Sequence, residues 1–381
     1  MRDAVIVEAV RTPVGRRNGG LSGVHPADLS AHVLKALIER VGLDPAVVDD
    51  VVWGCVSQVG EQTFDIARTA VLTAGWPDSV TGVTVDRQCG SSQQSVHFAA
   101  AGLIAGHYDV VVAGGVESMS RVPLNSSVGD VGHPYPATFV ERFGGTVPNQ
   151  GVGAEMIAER WRLSRTQLDE YSLTSHEKAA AARDAGRFDA QVVPVPTDID
   201  VVRHDEGIRN SSLDKLAALK PAFKPEGGVI TAGNSSQISD GSAALLMMTS
   251  DKARSLGLKP IARVHTAVLA GADPVMMLTA PIPATEKALA KSGLAIDDIG
   301  AFEVNEAFAP VPLAWSAEFA VDPKVLNPNG GAIALGHPLG GSGARLMTTL
   351  VHHMQDNRIL YGLQTMCEGG GQANATILEL L

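Results

Sequence analysis

Leu34-Lys-Ala-Leu-Ile-Glu-Arg-Val-Gly-Leu-Asp-Pro-Ala-Val-Val-Asp-Asp-Val51 returns in altered form as Glu286-Lys-Ala-Leu-Ala-Lys-Ser-Gly-Leu-Ala-Ile-Asp-Asp-Ile299. Each copy carries helix-spaced apolar residues (Leu29, Val33, Leu37 and Val41 around the first), then a Gly-Leu stop. A strand-like run follows each, Asp50–Gly54 and Ala301–Val304. The correspondence continues more loosely. Thr84-Val85, Cys89, a helical pattern over Gln93–Ala105 and a strand Val110–Ala113 make one series. Val325-Leu326, His337, a helical pattern over Leu339–Met354 and a strand Tyr361–Met366 make the other. Alternating strands and helices imply helix-covered, largely parallel sheets. The reading is therefore an α/β protein with two similar halves, about 1–120 and 255–381, the first completed by about 237–254.

Between the halves, residues 121–236 differ in character. They are turn-rich (Pro123-Leu-Asn-Ser-Ser, Gly132-His-Pro-Tyr-Pro, Arg142-Phe-Gly-Gly) and hold two helical patterns, Gly153–Trp161 and Arg165–Ala185. An inserted lobe on a duplicated scaffold is expected to carry recognition. Ser239-Asp-Gly-Ser-Ala-Ala-Leu-Leu-Met-Met then reads as a strand re-entering the first half.

Composition narrows the function. A chain of 381 residues with 45% hydrophobic content suggests two or three domains with a large core. A net charge of −11 argues against nucleic acid. No stretch approaches a transmembrane helix, and Met1-Arg-Asp-Ala-Val-Ile-Val-Glu reads as a strand, not a signal peptide. The C-terminal Ile377-Leu-Glu-Leu-Leu381 has no peroxisomal or ER-retention signal. Three cysteines cannot form a disulfide framework, so a reducing cytoplasm is the expected compartment, and Cys55 reads as core. No Cys-x-x-Cys or His-Glu-x-x-His implies a metal, and no Gly-x-Gly-x-x-Gly follows a strand. One stretch reverses the acidic balance. Arg203, Arg209, Lys215, Lys220 and Lys224 outnumber Asp205, Glu206 and Asp214, a patch suited either to a phosphorylated ligand or to solvent.

Chemistry concentrates at strand–helix junctions. Cys89, in Val85-Asp-Arg-Gln-Cys-Gly-Ser-Ser, precedes a helical run for which Ser91 or Ser92 would be the N-cap. The helix terminus should favour its thiolate, the form that attacks a thioester or ketone. His337, in Gly336-His-Pro-Leu-Gly-Gly-Ser-Gly, would stand at a cap with Pro338 as first helical residue, placed to take a thiol proton. Cys367, in Met366-Cys-Glu-Gly-Gly-Gly, would shuttle a proton beside a glycine turn whose N–H groups could hold an oxyanion. Glu368 is expected to point away, since a carboxylate facing Cys367 would raise its pKa. Asn305, in Asn-Glu-Ala-Phe-Ala at a strand end, could hold a water or a carbonyl. Each could also be an ordinary packed residue; their combination argues otherwise. His97, His352 and His353 lie on helical patterns and read as packed or exposed.

The Cys89 block, Gly114-Gly-Val-Glu-Ser-Met-Ser, Asn305-Glu-Ala-Phe-Ala, Gly330-Gly-Ala-Ile-Ala-Leu-Gly-His-Pro and Cys367-Glu-Gly-Gly-Gly together resemble the thiolase family, in its order and over essentially the whole chain. Asp86-Arg-Gln-Cys-Gly-Ser-Ser-Gln-Gln and Ser235-Ser-Gln-Ile-Ser-Asp-Gly resemble actinobacterial degradative members, including those of steroid catabolism. The resemblance implies the thiolase fold, halves stacked in α-β-α-β-α layers with an inserted loop domain that binds coenzyme A. It implies that Cys89 is acylated, that His337 activates it, and that Cys367 exchanges the α-carbon proton. Asn305, through a water, and His337 would steady an enolate, and the N–H groups of Cys89 and Gly369 a second oxyanion. Arg209 and Ser236 match coenzyme A contacts, and Phe308 a residue near the pantetheine. The implied activity is coenzyme-A-dependent cleavage of a 3-ketoacyl-CoA, or the reverse condensation of two acetyl-CoA molecules. Coenzyme A would be a co-substrate with no tightly bound cofactor, and the protein a homodimer or homotetramer. Ser91-Ser92-Gln93 in place of Ser-Gly-Leu, Gln237 in place of Gly, and Asn149-Gln150 in place of His-Met are departures that bear on the acyl group. A condensing synthase on the same scaffold, or a silent acyl-CoA carrier, is the competing reading; neither accounts for both thiols together with Gly-His-Pro.

Overall fold

The computed structural model describes residues 2–129 and 132–381. The first set of strands is β1 (Val5–Arg11), β2 (Asp50–Gly54), β3 (Thr81–Val85), β4 (Val110–Ser118) and β5 (Ser239–Met248), in spatial order β1-β5-β4-β2-β3. The second is β6 (Ala262–Gly271), β7 (Ala301–Val304), β8 (Tyr361–Glu368) and β9 (Gln372–Leu380), in order β6-β9-β8-β7. Beyond β7, a lone parallel bridge from Phe302 to Leu326 stands where β3 stands in the first set. The two orders are the same, which is the duplication read in the sequence. A short antiparallel pairing of Val5–Ile6 with Ala262–Arg263 joins the sets into one sheet.

The expectation of largely parallel sheets needs correcting. β2 pairs in parallel with β3 and β4, and β7 with β8, but β1–β5, β4–β5, β8–β9 and β6–β9 are antiparallel. The reason is local. Gly369-Gly370-Gly371 turns the chain straight from β8 into its neighbour, with Gly370 and Gly371 at φ +85° and +79°. A turn that short can join only antiparallel strands. In the first set the equivalent strands pair Ser118 with Asp240, so the chain leaves the sheet where the second set has its glycine turn.

Helices α1 (Pro26–Val41) and α2 (Ile66–Thr73) cover one face of the first strands, and α3 (Ser91–Ala105) the other. The excursion carries α4 (Gln150–Arg160) and α5 (Arg165–Asp184). α6 (Pro281–Ser292) covers the second strands, α7 (Pro310–Phe319) packs on α6 and α4, and α8 (Leu339–Asn357) lies between the two strand sets beside α3. The layers run helix, strands, helices, strands, helix. Leu29, Val33 and Leu37 are buried on α1, and Gly42 and Gly293 end the repeated helices in the left-handed region, as the Gly-Leu stops require. From Gly340 to His352, α8 is buried without interruption, as its central position demands.

Candidate active site

Three segments meet where α3 and α8 begin and β7 and β8 end. Ala344 N–H donates to Ser92 Oγ at 2.9 Å, joining the first turn of α3 to α8. Asn305 N–H donates to the Thr365 carbonyl at 3.1 Å, setting the end of β7 beside β8. The β8–β9 hairpin closes over the Cys89 turn: Asn374 Nδ2 donates to the Gly90 carbonyl at 3.1 Å and Arg87 Nη1 to Gln372 Oε1 at 3.0 Å.

Cys89 lies two residues before α3 and is 9% exposed. The sequence expectation for its cap fails. Gly90 is the N-cap, and Ser91, the first helical residue, turns its hydroxyl backward, accepting from Arg87 N–H and donating to the Gln88 carbonyl at 2.9 and 2.6 Å. That bond pair holds the turn and leaves Gln88 at φ +49°, an unfavourable backbone conformation directly before the thiol. The thiol is not lowered as expected. Burial and then the Glu368 charge push Cys89 up to about 12.

His337 stands one residue before the N-cap of α8, because Pro338 is the cap and not the first helical residue. Its N–H donates to Ser239 Oγ at 3.1 Å, and its Nδ1 lies 2.6 Å from Ser342 Oγ. Ser342 has one hydroxyl proton, given to the Pro338 carbonyl at 2.8 Å. Its oxygen therefore accepts from Nδ1–H, which leaves Nε2 unprotonated, 3.4 Å from Asn305 Nδ2. Burial, then the Arg345 charge, lowers His337 to about 3. The resting pair is a neutral thiol and a neutral imidazole. Asn305 Oδ1 is buried with no hydrogen-bond partner among the described residues, an acceptor free for a water or a ligand.

Cys367 is the seventh of eight residues in β8, not a residue beyond it, and is fully buried. Burial and then Cys89 hold its thiol well above the usual range. Cys89 acts on the charge of Cys367, and Glu368, the next residue of the strand, acts on Cys89. Gly369 sits against Gln88, so close that a Cβ there would lie 3.0 Å from Gln88 Oε1. Glu368 leaves the strand on the face opposite Cys367, as expected, and that face turns it toward the Cys89 segment. Its carboxylate packs on Gly90, where a Cβ would lie 2.0 Å from Oε1. Burial raises Glu368 to about 8.

The residues matched to coenzyme A, Arg209, Ser236 and Phe308, lie on three segments joined by hydrogen bonds. Arg209 Nη2 donates to Gln237 Oε1 at 2.9 Å, and Ser236 N–H to the Ala307 carbonyl at 2.9 Å. Phe308 meets Phe223 edge to face at 5.8 Å and shares a buried cluster with Cys367. A cavity of about 190 Å³ is lined by His176, Arg209, Lys215, Leu219, Gly233 and Gln237. Two of the five basic residues of the patch therefore face one recess; Arg203 lines a separate one with Arg183, and Ser236 lies outside the lining. A larger cavity of about 560 Å³, between α3 and β6, is lined by none of the candidate site residues, though Gln94, the last residue of the quoted Cys89 block, borders it. His97 and His352 are buried, bonded to Thr376 Oγ1 and the Ala9 carbonyl, and Cys55 is core. No group of three metal-binding side chains occurs among the described residues.

Sequence reasoning missed several residues that hold this site. Ser342 orients His337; its signal was a serine one helical turn after the proline. Glu117, inside the quoted Gly114-Gly-Val-Glu-Ser-Met-Ser, accepts from Val56, Ser57 and Gly340 N–H and from Gln62 Nε2. Glu306 accepts from Tyr171, Ser175, Asn327 and Ile333, tying α5 to the Asn305 segment. Gln93, one of the departures, pairs with Gln364 of β8: each side-chain amide donates to the other residue, at 3.2 and 3.0 Å.

Two family models cover the chain, the thiolase N-terminal domain over residues 4–251 and the thiolase C-terminal domain over 258–380. The chain belongs to the thiolase family. It is 51% identical to the steroid 3-ketoacyl-CoA thiolase FadA6 of Mycobacterium tuberculosis, covering 100% of this chain and 95% of that one. It is 45% identical to the 3-ketoacyl-CoA thiolase of Pseudoalteromonas translucida, covering 100% and 99%. Among solved structures, the Bacillus anthracis acetyl-CoA acetyltransferase superposes with a TM-score of 0.91 at 38% identity, covering 100% of this chain and 99% of that one.

Proposed function

We propose that this thiolase runs in the degradative direction: coenzyme A cleaves a 3-ketoacyl-CoA to acetyl-CoA and a shortened acyl-CoA through an acyl-Cys89 intermediate. The observation that carries the reading is the 3.4 Å approach of Asn305 Nδ2 to His337 Nε2, beside the hairpin that carries Cys367 and closes on the Cys89 turn. The likeness to a steroid 3-ketoacyl-CoA thiolase favours a bulky or ring-bearing acyl group.

Cys89 Sγ attacks the 3-keto carbon as its proton passes to His337 Nε2. Both groups are neutral at rest, so charge develops only with attack, at the positive end of α3. The carbonyl oxygen draws on the N–H groups of Cys89 and Gly369. The bond between the α and β carbons breaks, and the leaving acetyl-CoA enolate rests on His337 and on a water held by Asn305. Cys367 S–H protonates its carbon. Coenzyme A then gives its thiol proton to the Cys367 thiolate and attacks acyl-Cys89, and the departing Cys89 sulfur recovers its proton from His337. Protons balance over the cycle.

Residues 121–236 serve as the lobe inserted between halves 1–120 (with 237–254) and 255–381. In it Arg209, with Lys215, takes the phosphates of coenzyme A, and Ser236 and Phe308 flank the pantetheine. Coenzyme A is a co-substrate, and the cysteines are free, which suits a reducing cytoplasm. No helix among the described residues is long and apolar enough to cross a membrane. A homodimer or homotetramer is the expected assembly, with exposed Phe98 and Ile104 of α3 offering an apolar face.

The test is trapping. Incubation with acetoacetyl-CoA should leave an acyl adduct on Cys89 by mass spectrometry, and Cys89→Ala should abolish thiolysis. Cys367→Ala should slow carbon–carbon cleavage far more than acylation of Cys89 by acetyl-CoA. Equal losses in both steps would contradict the roles assigned. A panel from acetoacetyl-CoA to ring-bearing 3-ketoacyl-CoAs tests the acyl group.

A further inference from the structure

Next to the Asn305–His337 contact, the strand leading into Asn305 and the helix beginning after His337 carry further buried polar residues. Glu303 lies on β7, and Asn305, two positions on, is the residue that follows its last, Val304. Ser342 and Arg345 are three apart on α8, and Thr348 three further, on one helical face. Glu303, Arg345 and Thr348 are 1%, 2% and 0% exposed. Both Glu303 carboxylate oxygens, all three Arg345 guanidinium nitrogens and Thr348 Oγ1 lack a hydrogen-bond partner among the described residues. Glu303 and Arg345 each act on the other's charge, yet no ion pair joins them directly. Their titratable neighbours are Glu306, Lys178, the neutral His337 and the bonded pair Arg11–Asp205, which is already self-satisfied at 2.7 and 2.9 Å. A buried guanidinium facing a buried carboxylate, neither bonded, is costly unless small polar molecules bridge them.

We propose that Glu303, Arg345 and Thr348 hold ordered water between β7 and α8, and that this water-bridged rung positions Asn305 and His337 for the enolate. Neither charged residue touches substrate; both are positioning residues. The inference rests on the roles given above to Asn305 and His337. Three features support it. The rung lies on the strand that leads into Asn305 and the helix that begins just after His337, Arg345 bears on His337 electrostatically, and six buried polar atoms of these residues lack partners.

Two measurements test it. A crystal structure fine enough to show water should place density within hydrogen-bonding distance of both Arg345 and Glu303; a dry, directly bonded pair would overturn the proposal. The double variant Glu303→Gln, Arg345→Met removes both charges while keeping volume, a change that buried pairs commonly tolerate in stability. Its kcat for acetoacetyl-CoA thiolysis should fall roughly 10–100-fold with KM and melting temperature unchanged, as for other outer-sphere supports. Arg345→Lys should lose less than Arg345→Met. A wild-type kcat in the double variant, or a loss confined to KM, overturns the rung. His337→Ala separates the two levels. If it is inactive while the double variant is fully active, only the rung fails. Full thiolysis in His337→Ala would remove the site assignment itself.

Discussion

His337 gives its Nδ1 proton to Ser342 Oγ, 2.6 Å away, and Ser342 passes its own to the Pro338 carbonyl. One serine hydroxyl thereby decides that Nε2 is the basic nitrogen and that it faces Asn305 and the sulfur chemistry. A glycine-rich stretch permits the approach, because α8 begins against the backbones of Gly54 and Gly115 with no room for a side chain at Gly340.

Ser342→Ala should therefore cut kcat roughly 10–100-fold with little change in KM, because the wrong tautomer becomes available. Stability should fall by about 1–3 kcal/mol, since two hydrogen bonds go and a buried N–H is left without its acceptor. Steady-state thiolysis and denaturant unfolding measure the two.

Glu368 should restrain Cys89 in alkaline solution. Its carboxyl, held up to about 8, ionises above that pH and then opposes the thiolate. Glu368→Gln should speed alkylation of Cys89 by iodoacetamide, most clearly above pH 8 and little at pH 6. Stability runs the same way. A carboxyl raised in the folded state contributes fully below its ordinary 4.5 and loses that contribution as pH climbs through about 8. Glu368→Gln should thus lessen the fall in melting temperature over that window.

Gly90 admits no side chain. Its Cβ would lie 2.0 Å from Glu368 Oε1 and 2.8 Å from Asn374 Nδ2. Gly90→Ala should cost about 1–3 kcal/mol and most of the activity, since the displaced turn carries Cys89. Adding Glu368→Ala should recover part of the stability; a calorimetric comparison of the single and double variants decides.

Breaking the Gln93–Gln364 pair should cost more than removing it. Gln93→Leu strands a buried amide and should destabilise by about 1–3 kcal/mol, whereas Gln93→Leu with Gln364→Leu should lose less than the two single losses combined. A double-mutant cycle by chemical denaturation reads the coupling.

Arg209→Ala should raise KM for coenzyme A about tenfold, a charge-assisted contact's worth, with kcat for Cys89 acylation unchanged. Gln237→Ala, which frees the Arg209 guanidinium, should raise it less. A kcat defect without a KM change would place Arg209 outside the coenzyme A path.

Much of the site was legible because its chemistry is local. A thiol before a helix, a histidine before a proline, and a cysteine before three glycines are turn signatures, written within a few residues. The duplication was legible too, since each half must bury the same apolar helix face on the same strand. The misreading was of reach: Ser91 was read as a cap although its hydroxyl bonds backward, and the turn of Glu368 away from Cys367 gave no sign that it lands on Gly90.

From the chain alone came the candidate reacting groups, the repeated α/β plan and an inserted stretch at 121–236, because propensity, periodicity and glycine act over short range. Only the tertiary structure decided which nitrogen of His337 is basic, that burial leaves Cys89 protonated at rest, and which distant residues brace them. Those properties belong to contacts such as Ala344 with Ser92 and Gln93 with Gln364, made across 252 and 271 residues. Desolvation at such a junction depends on what closes over it, and no short-range pattern records that.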